Sequence, residues 1–80
     1  MTSEQQILLQ RITIMPGLIG GKPTIRGLRF PVEDVLELLA SGLPEKEILE
    51  QHPVLEAEDI QAALLYAALK MKNTVTIHAA

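Results

Sequence analysis

The apolar residues of this chain change period at Pro31, and that change constrains the fold more than any other feature. Ahead of it they alternate: Ile12 and Ile14 flank Thr13, and Ile25 and Phe30 anchor TIRGLRF, which is the spacing of extended chain. Behind it, Val32, Val35, Leu36 and Leu39 fall at i, i+3, i+4 and i+7, the spacing of one helix face. An extended N-terminal third is therefore followed by helices, within 80 residues that make a single domain. A chain of this size hides only about 60% of the surface its unfolded form exposes, so its stability is marginal unless something adds to it.

The helical part divides by its own punctuation. A first helix is predicted over 32–41, with Glu33 and Asp34 in the first turn, where the helix dipole favours acids, and Gly42 at C′. A second, over 44–51, places Pro44 at N1, lets Leu43 staple back onto Ile48, and ends at His52-Pro53, because the residue before proline leaves the helical region. The third, over 56–71, has one apolar stripe of Ile60, Ala63, Leu64, Ala67 and Met71 and a second of Leu65, Ala68 and Leu69. Apolar breadth of that kind calls for burial on two sides. Upstream, ILLQRITI (7–14) reads as a short strand or extended arm, and MPGLIGGKP reads as loop because Pro16, Gly17, Gly20, Gly21 and Pro23 interrupt it. Gly27 marks a bulge or a close backbone approach. The tail TVTIHAA alternates Val75 and Ile77 and reads as a strand or a frayed end. The expected fold is mainly α: a three-helix bundle of helix-turn-helix topology behind a short extended or β arm, organised as arm and loop (1–30), bundle (31–71) and tail (72–80).

Composition narrows the function. The chain is 48% hydrophobic yet has one Phe, one Tyr and no Trp, so its core is aliphatic. The aliphatic surplus and the second stripe on the third helix point to a homodimer, with Leu65, Ala68 and Leu69 as its candidate surface. With no cysteine there are no disulfides or thiolate metal sites, and His52 and His78 are too few for a structural zinc site. No apolar run approaches the roughly 18 residues of a membrane span, and Met1-Thr-Ser-Glu has no basic n-region. The expectation is a soluble cytoplasmic protein with no membrane contact and no cofactor.

The charge is unevenly placed. Residues 1–32 carry Arg11, Lys22, Arg26 and Arg29 against Glu4 alone, whereas the remaining acids face only Lys46, Lys70 and Lys72. The basic, glycine-rich stretch GLIGGKPTIRGLRFPV invites a phosphate-loop reading, which fails. A Walker A loop needs a hydroxyl residue after its lysine and a glycine five positions before its second glycine; here those positions hold Pro23 and Pro16. Ser3, Ser41 and His52 make no nucleophilic constellation, and the acids of 45–59 read as solvated helix faces, so no enzyme is expected. Arg11, Lys22, Arg26 and Arg29 remain candidates for contact with nucleic acid or a partner. The alternative is that one arginine is tied to an acid of the first or third helix. The third helix opens with Glu56, Glu58 and Asp59, three acids at the end that would meet DNA, and they repel phosphate.

The stretch GGKPTIRGLRFPVEDVLELLASGLPEKEILEQHPVLEAEDIQAALLYAA resembles domain-of-unknown-function family 433, a group of small prokaryotic proteins. Their pattern runs Gly-Gly-x-Pro-x-Ile-x-Gly-x-Arg-x-Pro-Val, then Glu-x-Ile-Leu, then Asp-Ile-x-Ala-Ala-x-x-Tyr-Ala. Gly20, Gly21, Pro23, Ile25, Gly27, Arg29, Pro31 and Val32 fit the first part; Glu47, Ile48 and Leu49 the second; Asp59, Ile60, Ala62, Ala63, Tyr66 and Ala67 the third. Leu43 and Glu56 stand where the family usually has Ser or Thr at a helix start. The resemblance implies a homeodomain-like helix-turn-helix fold, and some relatives are VapB-type antitoxins paired with a PIN-like ribonuclease toxin. The expected function is thus a non-enzymatic, antitoxin-like regulatory module that binds a PIN-like toxin and, as a dimer, operator DNA. The alternatives are a stand-alone helix-turn-helix DNA-binding protein and a structural dimerisation module.

Overall fold

In the computed structural model, which describes residues 1–74, four helices and a small sheet follow one another. Helix α1 spans Ser3–Leu9, strand β1 Ile12–Ile14, a 3₁₀ turn Ile19–Gly21 and strand β2 Pro23–Ile25. Helices α2 (Val32–Ala40), α3 (Glu45–Gln51) and α4 (Ala57–Thr74) complete the chain. The mainly helical class and the three helices after Pro31 agree with the sequence reading. The tail positions Val75, Ile77 and His78 lie outside the described residues.

The N-terminus differs from the expectation. Residues 3–9, read as part of an extended arm, form α1, and only the last three residues of ILLQRITI are strand. The reason is local. Thr2 caps the helix through a reciprocal pair: Gln5 N–H donates to Thr2 Oγ1 and Thr2 N–H donates to Gln5 Oε1, both at 3.1 Å. That is a capping box, and it satisfies two donors that an uncapped first turn leaves unpaired. Helix α1 then lies against α4, with Leu8 and Leu9 half-buried and Ile7 exposed.

The two strands pair antiparallel in the register Ile12↔Ile25, Thr13↔Thr24 and Ile14↔Pro23. Thr24 is fully buried, and its hydroxyl lies 2.9 Å from that of Thr13, so the central polar pair of the sheet satisfies itself. Leu28 N–H donates to Ile25 O across a tight turn whose two central residues, Arg26 (φ 46) and Gly27 (φ 71), both have positive φ, as in a type I′ turn. Gly27 is therefore set by conformation rather than by close approach: a Cβ there would meet only Met15 Sδ at 3.6 Å.

Helix α2 begins after Pro31 and ends before Gly42 (φ 93), which takes the left-handed geometry of a C′ position. Pro44 is the N-cap of α3 rather than its first helical residue, and Leu43, at N′, packs on the core that contains Ile48. The core consists of Ile25 from β2, Val32 and Val35 from α2, Ile48 from α3, Leu55, and Ile60 and Ala63 from α4. It is aliphatic throughout. No helix among the described residues is long and apolar enough to cross a membrane.

Candidate functional site

Asp59 is the hub of the polar structure. It stands at the third position of α4 with its side chain fully buried, and three groups converge on it. Glu56 N–H donates to Asp59 Oδ2 at 2.8 Å, closing one half of a capping box at the start of α4. Arg26 donates from Nε to Oδ1 and Oδ2 at 3.0 and 3.2 Å, and from Nη2 to Oδ2 at 2.9 Å. Arg11 Nη1 donates to Asp59 Oδ1 at 3.0 Å and to Glu56 Oε1 at 2.7 Å. Arg26 Nη2 also donates to Val54 O at 2.7 Å. The cluster thus links the turn after β2, the start of β1, the α3–α4 connection and the first turn of α4.

The electrostatics follow from the geometry. Burial alone would push the Asp59 carboxyl up; the Arg26 guanidinium, the Glu56 N–H and the Arg11 guanidinium outweigh it and hold the group below its ordinary value. The Arg11 and Arg26 guanidiniums are correspondingly raised, Arg11 chiefly by Glu56 and then Asp59, Arg26 chiefly by Asp59. Every oxygen of the buried carboxylate is engaged, and among the described residues no buried side-chain polar atom lacks a partner.

Two open concavities flank this frame. One, of about 190 Å³, lies where β2, α2 and α4 meet; Pro23, Val32, Leu36, Tyr66 and Ala67 line it, with Glu33 and Lys70 at its edge. The other, of about 450 Å³, opens between the segment leading into α2, the outer side of α2 and the end of α3.

The four basic residues singled out by sequence do not form one patch. Arg11 and Arg26 meet at Asp59, Lys22 pairs with Glu33 at 2.9 Å on the surface, and Arg29 lines the larger pocket. The sequence allowed for one arginine tied to a helix acid; the structure ties two to the same one. Of the apolar positions on α4, Leu65 and Leu69 are half-buried and Ala68 is exposed, while Leu64 and Met71 show 49% and 59% of their surface. The residue that sequence reasoning missed is Asp59 itself, read there only as one of three acids repelling phosphate. Its signal was its place three residues after Glu56, where a carboxylate reaches back to the N-cap N–H.

Comparison with known proteins gives consistent results. A family described as a protein of unknown function, DUF433, matches residues 12–67, a span that includes Arg26, Arg29 and Asp59. An uncharacterized protein, y4eO, of Sinorhizobium fredii (strain NBRC 101917 / NGR234) is 43% identical over 56 residues, or 70% of this chain and 25% of that protein. The chain therefore spans about a quarter of the length of this curated relative. The crystal structure of a DUF433 member protein from Anabaena variabilis ATCC 29413 is similar with a TM-score of 0.73 and 38% identity, covering 85% of this chain and 67% of that one.

Proposed function

We propose that this chain, which belongs to the DUF433 family of proteins of unknown function, is a non-enzymatic binding module of the antitoxin kind. It engages a PIN-like ribonuclease in the cytoplasm through its exposed surface and, as a dimer, presents the complex to operator DNA. In this reading α2, α3 and α4 are the three helices of a homeodomain-like helix-turn-helix unit, to which α1 and the two-stranded sheet are added in front.

The observation that carries the reading is the destination of the N-terminal positive charge. Arg11 and Arg26 are held by Asp59 and Glu56, and Lys22 by Glu33. A guanidinium whose charge is already balanced by a carboxylate brings little net positive charge to a phosphate, so the arm offers little free charge for the backbone contacts that dominate DNA affinity. What the surface does offer is apolar: the groove lined by Val32, Leu36, Tyr66 and Ala67, and the exposed Leu64 and Met71, two turns apart on α4. Such side chains suit a protein partner.

Co-expression with a PIN-like nuclease encoded beside the gene tests this. A stable complex that co-purifies, and in which the nuclease no longer cleaves RNA, is expected. A nuclease that elutes separately and stays active would reject the antitoxin reading.

A further inference from the structure

The larger pocket carries an inference that rests on the protein-binding reading and gives its partner a chemistry. Phe30 and Leu38 supply aromatic and aliphatic lining, and Arg29, Asp34 and Glu37 line the same pocket with charges of both signs. Asp34 and Glu37 are one turn apart on α2, so they lie on the same side of that helix. Among the described residues no ion pair or side-chain hydrogen bond engages Arg29, Asp34 or Glu37. This is the reverse of the situation at Asp59, where every charge is answered within the chain. The aromatic lining is also fixed in place. The Phe30 ring meets His52 edge to face, with centroids 5.1 Å apart and an interplanar angle of 84°. His52 is in turn held by its N–H to Ile48 O and by the following Pro53. The hydroxyl of Ser41, at the rim, already donates to Leu38 O.

We propose that this pocket docks a segment of a protein partner that presents a basic side chain and, close by, a carboxylate. The stem of an arginine or lysine lies over Phe30 and Leu38, its head is taken by Asp34 and Glu37, and the partner's carboxylate pairs with Arg29. The charges select this occupant. A nucleic acid would bring phosphate against two carboxylates, and a wholly apolar segment would bury three charges with no partner, which is costly. A volume of about 450 Å³ lies within the range of roughly 300–1,000 Å³ that holds ligand-sized groups. An aromatic face beside a cation adds to the attraction.

The probe is a short blocked peptide with one arginine and, three positions later, one glutamate, titrated into the full chain and followed by amide NMR. Saturable shifts are expected at residues 29–41 and at His52. They should weaken about tenfold when citrulline replaces the arginine, since the charge-assisted bonds are lost, and equally for Asp34→Asn/Glu37→Gln protein. Arg29→Gln should make the chain indifferent to replacing the peptide's glutamate by glutamine. Equal binding of the arginine and citrulline peptides would overturn the proposal. So would free arginine binding as tightly as the peptide, which would make this a small-molecule site. The underlying reading is tested separately with the co-expressed nuclease. If it binds wild type and Asp34→Asn/Glu37→Gln alike, the pocket proposal fails and the antitoxin reading stands. If the pocket takes the peptide but no nuclease complex forms, the antitoxin reading fails and the pocket stands.

Discussion

Arg26 shows how a single residue can join strain to stability. It is a non-glycine residue at φ 46, a left-handed conformation that costs an L-residue about 1–2 kcal/mol. Such a conformation persists only where the surroundings over-determine it, and here three hydrogen bonds to Asp59 and one to Val54 O do so. Arg26→Ala keeps the strain and loses the bonds. Because the side chain is a third exposed and Arg11 still faces Asp59, the expected loss is about 2 kcal/mol, below the range for a fully buried pair. Arg26→Gly loses the same bonds but relieves the backbone, so it should melt higher than Arg26→Ala by the equivalent of about 1 kcal/mol; identical melting temperatures would mean that no strain resides there. Asp59 adds a pH dependence whose sign is fixed by its lowered pKa. The unfolded carboxyl titrates at about 3.9, so its contribution is complete above that pH and is lost as the pH falls through the lower folded value. Asp59→Asn should cost about 2–3 kcal/mol at neutral pH, less than breaking a fully buried pair, because the two arginines that lose their shared partner are partly exposed and Arg11 keeps Glu56. Denaturant titrations should show the gap from wild type narrowing as the pH drops below about 4. A gap that does not change with pH would mean that Asp59 is not charged in the fold.

At the scale of elements, what was legible in the sequence was what repeats. The helices after Pro31 were readable because Val32, Val35, Leu36 and Leu39 hold one period over two turns and because Gly42 and His52-Pro53 mark the ends. Helix α1 was not, since its seven residues are too few to establish a period and Ile12 and Ile14 impose an alternating one beside it. Only the Thr2–Gln5 capping box announced it. The clamp on Asp59 was half legible: Arg11, Arg26 and an acid at a helix start were visible, but their meeting depends on contacts across 33 and 48 residues, which no local pattern encodes. The turn between β2 and α2 is a further case. Gly27 carries φ 71 and donates its N–H to Thr13 Oγ1 at 2.9 Å, whereas Gly17 has no positive φ, and a methyl group added to it would find no other atom within 4 Å. Gly27→Val is therefore expected to destabilise clearly, by about 1–3 kcal/mol, the scale of strained backbone positions. Gly17→Ala is expected to be neutral or slightly stabilising. Thermal melts of the two variants check this, and matching midpoints would show the turn to be unconstrained.

At the scale of the whole molecule, the apolar and the charged surfaces of the described residues differ in kind. The breadth of apolar surface on α4 suggested a second subunit, yet α1 covers part of that helix from within the chain. What stays open is the line of Leu64, Ala68 and Met71. If this line joins two copies, Leu64→Glu/Met71→Glu should turn a dimer into a monomer by sedimentation equilibrium, and its melting temperature should lose the concentration dependence that a dimer confers while the fold is kept, because both side chains are exposed in the single chain. The Leu65→Glu/Leu69→Glu pair, half-buried in the fold, should lower the melting temperature as well. A wild type that sediments as a monomer at high micromolar concentration would leave this face to another protein. For the charged surface the expectation is sharper: Arg11 and Arg26 hold the fold together and are not free for phosphate. Fluorescence anisotropy of the isolated protein on duplex DNA at physiological salt tests it most directly. The expected dissociation constant is no tighter than the non-specific range of about 10⁻⁴–10⁻⁶ M. Nanomolar binding by the protein alone would contradict it, because the arginines would then be reading phosphate rather than holding Asp59.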